Sequence, residues 1–175
     1  MARVLVVVDM QNDFITGALG SPDGPGIVDG VVDYIKKFDG DVVYTLDTHY
    51  DNYMETQEGR NLPVPHCIKG SEGWKLPEKI QAALDERGAQ AFEKPSFGSP
   101  DLALAMVEKN KKEPIDEIVL LGICTDICVI TNTMTLKCFL PEVKVTVESG
   151  LCAGVTGEQH QQALNAMKIC QVNIA

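Results

Sequence analysis

Two cysteines at the end of an apolar segment are the first candidates for chemistry in this sequence. Cys124 and Cys128 lie four residues apart in GICTDICVITN, residues 122–132, which has the pattern of a strand end, a turn and the start of a helix. If Thr125 caps that helix, Cys128 lies in its first turn, where unpaired N–H groups and the helix dipole favour a thiolate. Cys128 is therefore a candidate nucleophile, although a free cysteine is more often a small buried hydrophobic residue.

A carboxylate and an ammonium group at the ends of other predicted strands complete a reactive set with this thiol. Asp9 follows the first strand and Lys94 follows the third, and the carboxyl ends of parallel strands share one rim of a sheet, where ligands bind. There Lys94 would lower the pKa of Cys128, and Asp9 would take the thiol proton and return it to a leaving group. Backbone N–H groups from Cys124 to Cys128 would hold an oxyanion. Taken one at a time, the three side chains are also explained as a turn aspartate, a solvated lysine and a buried cysteine.

A second group of residues has the composition of a metal site. Asp47 and His49 are separated by one residue at a predicted strand end, so their side chains point to the same side, and His66 could return a second imidazole. Two imidazoles and a carboxylate suit Zn, Fe or Mn and leave positions open for water or substrate. Glu58 is a further candidate ligand. Histidines in loops also occur without metal, so spacing alone leaves both interpretations open.

Short apolar segments that alternate with helical patterns must position these groups. The predicted strands are 3–8, 41–46, 89–93, 115–121, 143–147 and a short 172–174, and the predicted helices are 27–38, 76–87, 100–111, 125–140 and 159–170. Their alternation predicts an α/β fold, doubly wound, with a mostly parallel five- or six-stranded sheet and helices on both faces. The segment 48–74 has no periodicity, and a loop of this length is usually functional.

Length, charge and cysteine content narrow the class of protein. The 175 residues are enough for one domain, 1–175, and too few for two. A formal net charge of -10 without a basic cluster argues against nucleic acid as a partner. The sequence has neither an apolar run of the roughly 20 residues that a membrane helix requires nor a signal peptide, so we expect a cytoplasmic protein. Its six cysteines are then expected to be reduced thiols.

Several motifs, taken together, resemble the isochorismatase-like cysteine hydrolase superfamily and its nicotinamidase branch. The matching segments are VDMQNDF at 8–14, DTH at 47–49, HCIKGS at 66–71 with Gly73, EKPSF at 93–97 and GICTDICV at 122–129. The resemblance extends over nearly the whole chain. Because these motifs occur in order, the resemblance is far more specific than any single motif.

The resemblance implies roles for the candidate residues. Asp9, Lys94 and Cys128 would form a catalytic triad, the Ile123–Cys124 peptide would be cis, and the backbone N–H groups of Cys124 and Cys128 would form the oxyanion hole. A divalent metal, with zinc in first place and iron or manganese as alternatives, would hold the pyridine nitrogen of nicotinamide, and no organic cofactor is implied. The implied metal ligands are Asp47, His49 and His66; for a further histidine that the family has in this loop, this chain offers only Glu58. Phe14 and Phe97 would flank an aromatic substrate, or are ordinary core aromatics.

The activity implied by the resemblance is deamidation of nicotinamide to nicotinate and ammonia through a thioester, by a homo-oligomer with a small-molecule amide as its substrate. Nicotinamidases typically have a tryptophan where this chain has LPVP, residues 62–65. An amidase acting on another small carboxamide or an N-carbamoyl compound is therefore an alternative. A noncatalytic binding module is the alternative from a different class. The spacing of Cys124 and Cys128 does not favour a redox or metal pair.

Overall fold

The core of the computed structural model, which describes residues 2–175, is a sheet of six parallel strands. The strands are β1 (Ala2–Val8), β2 (Asp41–Asp47), β3 (Gln90–Lys94), β4 (Ile115–Ile123), β5 (Lys144–Ala153) and β6 (Asn173–Ile174). They are arranged in the order β3-β2-β1-β4-β5-β6, and every neighbouring pair is parallel. The predicted α/β fold with a parallel sheet is confirmed, in its six-stranded form.

Helices cover both faces of this sheet. They are α1 (Asn12–Ile15), α2 (Gly24–Lys37), α3 (Gln57–Asn61), α4 (Glu78–Glu86), α5 (Pro100–Lys112), α6 (Ile130–Phe139) and α7 (Gly157–Ile169), with a 3-10 turn at Tyr53–Glu55 and a π-helical turn at Thr125–Val129. Helices α2 and α4 pack together, while α5, α6 and α7 form a second contiguous layer. Across residues 2–175, none of the helices combines the length and apolar character that a bilayer crossing requires.

Strand β1 lies in the middle of the sheet because its side chains are apolar on both faces. Residues 4–8 of this strand are buried, as the unbroken apolar run predicts. The chain adds β2 and β3 on one side of β1, and then returns to add β4, β5 and β6 on the other side. The strand order therefore reverses between β1 and β4, and such a reversal opens a crevice at the carboxyl ends of the strands.

A glycine allows β1 and β4 to approach closely at this crevice. Gly122 has a φ of +126°, a conformation that other residues rarely adopt. A Cβ atom built on Gly122 would lie 2.1 Å from the carbonyl oxygen of Val8. Any side chain at this position would push the two central strands apart, so glycine is required where the two halves of the sheet meet.

The predictions for the end of β5 and for the segment 48–74 are wrong. Strand β5 continues beyond the predicted 143–147 to Ala153, through Glu148-Ser149-Gly150, which has the composition of a strand end. Its extension pairs with β4 after an irregularity, with Ile123 opposite Ala153. The loop 48–74 contains α3 and a 3-10 turn, which are too short to produce a periodic pattern.

Candidate active site

Asp9, Lys94 and Cys128 meet at the carboxyl ends of the strands. Lys94 Nζ lies 2.6 Å from Asp9 Oδ2 and 3.5 Å from Cys128 Sγ. The three residues are 0%, 1% and 5% exposed, in the same order. The structure therefore brings the predicted carboxylate, ammonium and thiol into one enclosed cluster.

Asp9 is held in an uncommon backbone conformation. Its φ is +46°, in the left-handed region, which costs a residue other than glycine about 1 kcal/mol or more. Thr45 Oγ1 donates a hydrogen bond of 2.6 Å to Asp9 Oδ1. Asp9 Oδ2 is in ionic contact with Lys94 but accepts no aligned hydrogen bond from any group in residues 2–175. Burial raises the pKa of Asp9 although the charge of Lys94 opposes this shift, so the carboxylate is a stronger base than usual.

The thiol of Cys128 is not activated in the predicted way. Burial and the Asp9 carboxylate raise its pKa well above the usual range and outweigh Lys94, which acts in the opposite direction. The sequence indicates Lys94 and the helix terminus, but it does not show that the sulfur is fully enclosed or that Asp9 and Asp47 contact the same ammonium group. Burial would lower the pKa of Lys94, but the charges of Asp9 and Cys128 outweigh it and raise that pKa. The resting thiol therefore keeps its proton, and attack by sulfur requires a base.

The turn that carries Cys128 begins differently from the predicted helix. Cys124, not Thr125, precedes the first residue of the π-helical turn, and no side chain caps it. The carbonyl of Cys124 accepts from the N–H groups of Ile127, at 3.1 Å, and Val129, at 3.0 Å. Within residues 2–175, the N–H of Cys128 donates no hydrogen bond to that carbonyl. The Ile123–Cys124 peptide is cis, as expected.

Asn132 holds this turn against the segment that follows Lys94. Its Nδ2 donates to the carbonyl oxygens of Cys128, at 2.8 Å, and Phe97, at 3.1 Å. Its Oδ1 accepts from the N–H of Ser99 at 2.9 Å. Sequence reasoning assigned no role to Asn132. The sequence feature that could have indicated a role is an asparagine four residues, or about one helical turn, after the proposed nucleophile.

The four predicted metal ligands converge next to this triad. Ligand atoms of Asp47, His49 and His66 all lie within 4.8 Å of one another, and the three residues are buried. Asp47 Oδ2 is 3.0 Å from His49 Nε2 and 3.4 Å from His66 Nε2. Glu58 Oε1 lies 3.7 Å from His49 Nε2 and 3.6 Å from His66 Nε2. This donor set of two imidazole nitrogens and two carboxylates fits a divalent cation such as Zn, Fe or Mn.

A short parallel pairing places His66 beside His49. The N–H of His49 donates to the carbonyl of Cys67 at 3.0 Å, and its carbonyl accepts from the N–H of Lys69 at 2.9 Å. The Nδ1 atom of His66 is 2.8 Å from the carbonyl oxygen of Val64, so Nε2 points to the other ligands. The second nitrogen of a ligand imidazole is commonly fixed in this way.

Two side chains of the first motif hold the ligand residues in place. Gln11 Oε1 accepts from the N–H of Asp47 at 2.8 Å, while its Nε2 donates to the carbonyls of Asp47, at 2.8 Å, and Trp74, at 2.9 Å. Asp13 Oδ2 accepts from the N–H of Cys67 at 2.8 Å. Sequence spacing could not assign these contacts because the partners are 36 to 63 residues away.

Asp47 belongs to both groups of residues. One of its oxygens faces the imidazoles, and the other, Oδ1, lies 3.3 Å from Lys94 Nζ. Burial alone would raise the pKa of Asp47, but hydrogen bonds from His49 and His66 and the charge of Lys94 hold it well below its usual range. Burial raises the pKa of Glu58. A metal-binding group and a triad that share one carboxylate must lie side by side.

A pocket of about 350 Å³ opens beside the ligand residues. Its lining residues are His49, Thr56, Gln57, Glu58, Asn61, Pro95, Ser96 and Phe97. Phe97 is 46% exposed and forms part of the wall, whereas Phe14 is 6% exposed and packs edge-on against the His66 ring, with centroids 5.6 Å apart. A larger cavity of about 600 Å³, around Tyr44 and Trp74, contains none of the predicted reactive residues. The smaller pocket is the candidate substrate site because its wall includes His49 and Glu58, although Asp9, Lys94 and Cys128 do not line it.

Comparisons with known proteins find similarity over nearly the whole chain. The family model described as Isochorismatase domain matches residues 3–175. The chain is 31% identical over 179 residues to an uncharacterized isochorismatase family protein of Bacillus subtilis, and the match covers 94% of this chain and 93% of the relative.

Two solved structures have the same fold at full length. The crystal structure of a nicotinamidase/pyrazinamidase from Bacillus subtilis superposes with a TM-score of 0.86 at 26% identity and covers 100% of both chains. The crystal structure of a pyrazinamidase of Pyrococcus horikoshii in complex with zinc gives a TM-score of 0.80 at 26% identity, with 100% of this chain and 99% of the other covered.

Proposed function

The chain belongs to the isochorismatase family, and we propose that it is a cysteine-dependent amidohydrolase that converts nicotinamide to nicotinate and ammonia. The observation that carries this proposal is the contact of Lys94 with both Asp9 and Cys128 inside a buried site. The three groups supply a base, a charge stabiliser and a nucleophile, which hydrolysis of an unreactive amide requires. The similarity to the two solved structures supports the choice of substrate.

Acylation of Cys128 is the first half of the proposed reaction. The sulfur attacks the carboxamide carbon while Asp9 takes the thiol proton, so a C–S bond forms and the carbonyl oxygen becomes an oxyanion. The raised pKa of Asp9 suits this transfer, because a stronger base is needed for a thiol whose own pKa is raised. Lys94 stays protonated and offsets the negative charge on its two acidic neighbours. The N–H groups of Cys124 and Cys128 hold the oxyanion.

Release of ammonia and hydrolysis complete the cycle. The tetrahedral intermediate collapses, the C–N bond breaks, and Asp9 gives its proton to the departing nitrogen. The product on the enzyme is a thioester of Cys128. Asp9 then removes a proton from a water molecule that attacks the thioester carbon. The C–S bond then breaks, Asp9 returns its proton to the sulfur, and the acid leaves as nicotinate after losing its proton to solvent.

The substrate ring is proposed to lie between the pocket wall and the metal ligands. Asp47, His49, His66 and Glu58 would hold the divalent metal, with zinc in first place and iron or manganese as alternatives. When bound, this metal supplies a Lewis-acid position for the pyridine nitrogen. Because Asp47 contacts both Lys94 and the imidazoles, a small ring anchored at the ligands presents its substituent to Cys128. Phe97 flanks the ring, while Phe14 packs edge-on against the His66 ring and fixes its orientation.

A second candidate is a related amidase that acts on another small carboxamide or on an N-carbamoyl compound. The observation that favours it is the presence of Gln57 and Asn61 in the pocket wall, where they offer amide groups beside the aromatic ring of Phe97. These amides can hydrogen-bond a substrate that has more polar atoms than a pyridine ring.

Ammonia release from nicotinamide, pyrazinamide and an N-carbamoyl compound distinguishes these candidates. We expect release from nicotinamide by the wild-type protein and none by Cys128→Ala. Release from another amide alone would reassign the substrate, and silence on all three would support a binding module without turnover. The homo-oligomeric state implied by the resemblance and the cytoplasmic location expected from the sequence remain predictions, and light scattering after size-exclusion chromatography would test the first.

A further inference from the structure

The third histidine of the chain, His160, lies outside both groups of residues and contacts the turn that carries the proposed nucleophile. It belongs to α7, and its Nδ1 is 2.7 Å from Thr125 Oγ1. Thr125 is fully buried, and His160 is partly buried. The proposed reaction assigns no step to either residue.

The contact is located at the first residue of the π-helical turn. Thr125 directly follows Cys124 and stands three residues before Cys128, so its position sets the path of the backbone that carries both N–H groups. Its hydroxyl is directed to α7 and caps none of the N–H groups of the turn. Asp126, the next residue, also points outward and accepts from the N–H of Val155 at 3.0 Å. The start of the turn is therefore fixed by a neighbouring segment instead of by its own side chains.

That neighbouring segment has little freedom to move. The extension of β5 pairs with the end of β4, with Ala153 opposite Ile123. At Gly154, a Cβ atom would lie 2.9 Å from Asp126 Oδ1 and 2.9 Å from the Cβ of His160. The start of α7 is in turn set by Thr156, which accepts from the N–H of Gln159 at 3.1 Å. His160 is thus held on a rigid support and can transmit that rigidity to Thr125.

We propose that His160 is a positioning residue whose hydrogen bond to Thr125 keeps the turn, and with it Cys128 and the oxyanion-binding N–H groups, aligned with the carboxamide. This inference rests on the proposed amide hydrolysis. If the bond merely satisfied a buried hydroxyl, its loss would lower stability without a specific effect on the reacting groups. Small misplacements of reacting groups, by contrast, reduce the rate of the chemical step far more than substrate binding.

Substitutions at both ends of the bond test this role. In His160→Leu and Thr125→Val we expect kcat to fall by about tenfold or more while KM for the same amide changes less than about twofold. His160→Asn retains a polar atom near the position of Nδ1 and should keep kcat within about threefold of the wild type. Because the two residues share one bond, the double variant Thr125→Val/His160→Leu should be no slower than the slower single variant.

Alkylation of Cys128 gives a measurement that does not depend on the substrate. Iodoacetamide labelling resolved by peptide mass spectrometry should slow by about tenfold at Cys128 in His160→Leu, relative to the exposed Cys138 and Cys170 of the same molecule. Gln161→Ala is the matched control, because this exposed side chain belongs to the same helix, bonds Asn165 at 3.2 Å and does not touch the turn. In this control, kcat and labelling of Cys128 should stay unchanged.

Several results would overturn the proposal. One is a His160→Leu protein with unchanged kcat and unchanged or faster labelling of Cys128. Another is an equal loss of rate in Gln161→Ala, since that would trace the effect to α7 as a whole. If no amide is turned over by the wild type, the proposed function fails, while the labelling comparison still decides the role of His160. If His160→Leu does not fold, Thr125→Val and His160→Asn provide the same comparison.

Discussion

The sheet carries an ionic cluster at each end, and the two clusters differ in how their carboxylates are satisfied. At the amino ends, Glu117 accepts from Arg3 at 2.9 Å and Thr146 at 2.7 Å and pairs with Lys144 at 2.8 Å. Arg3, Glu117 and Lys144 are side by side on β1, β4 and β5. At the carboxyl ends, Asp9 has a left-handed backbone and one oxygen that accepts no aligned hydrogen bond within residues 2–175.

The protonation of the two carboxylates differs in the same way. Burial opposes ionisation of Glu117, but its bonds to Lys144, Thr146 and Arg3 outweigh burial and lower its pKa. At Asp9, burial outweighs Lys94 and raises the pKa. The first cluster therefore stabilises the fold as a set of satisfied charges, whereas the second keeps a strained, proton-accepting group where chemistry is proposed.

Removal of the nucleophile is expected to give the largest contrast between the clusters. Cys128→Ala should reduce amide turnover by at least about 10³-fold, because no other group can form the thioester. Its melting temperature should remain close to that of the wild type, since a buried thiol is replaced by a side chain of similar shape. Turnover is followed by ammonia release and folding by circular dichroism. Activity near the wild-type value would refute the assignment of the nucleophile.

Neutralising the proposed base should have the next largest effect. Asp9→Asn keeps the shape of the side chain but loses the proton acceptor, and we expect turnover to fall by about 10²–10⁴-fold. Glu117→Gln, the same change at the opposite end of the sheet, should leave turnover unchanged. Steady-state rates of the two variants give the comparison. Equal rates in Asp9→Asn and Glu117→Gln would show that Asp9 is not the base of the reaction.

Loss of a metal ligand should empty the proposed metal site without unfolding the protein. In Asp47→Ala and His49→Ala we expect bound metal per chain to fall at least about tenfold, because even outer partners of a metal ligand can change affinity by that amount. Metal content is measured by inductively coupled plasma mass spectrometry on purified protein. Glu117→Gln serves as the control, and an unchanged metal content in both ligand variants would contradict the site.

The smallest expected effect concerns stability and its dependence on pH. Glu117→Gln should lower the free energy of unfolding by about 1 kcal/mol near neutral pH, because the carboxylate pairs with two cations and one hydroxyl. The pKa of Glu117 is lowered in the folded state, so its stabilisation is present above the unfolded pKa and is lost as pH falls through the folded one. Urea unfolding should show a lower free energy of unfolding in Glu117→Gln than in the wild type at neutral pH, and a smaller difference or none near pH 3. A difference that persists in acid would rule out the ionic origin.

The sequence predicted those parts of the site that depend on which residues lie at the ends of the strands. Asp9, Lys94 and Cys128 could be grouped because parallel strands present their carboxyl ends on one rim. The direction of the pKa shift at Cys128 could not be predicted, since it depends on enclosure by the whole fold. Contacts such as Gln11 with Asp47 and Thr125 with His160 were also missed, because residues far apart in sequence meet only through the tertiary structure.

The placement of the triad on separate strands also affects when reactivity can appear during folding. Asp9 follows β1, Lys94 ends β3, and Cys128 comes after β4, which must insert beside β1 before the three side chains meet. A partly folded or newly synthesised chain therefore exposes Cys128 as an ordinary cysteine, without a paired base or ammonium. The proposed amide hydrolysis therefore requires the complete sheet, because only there does Cys128 meet both a base and an ammonium group.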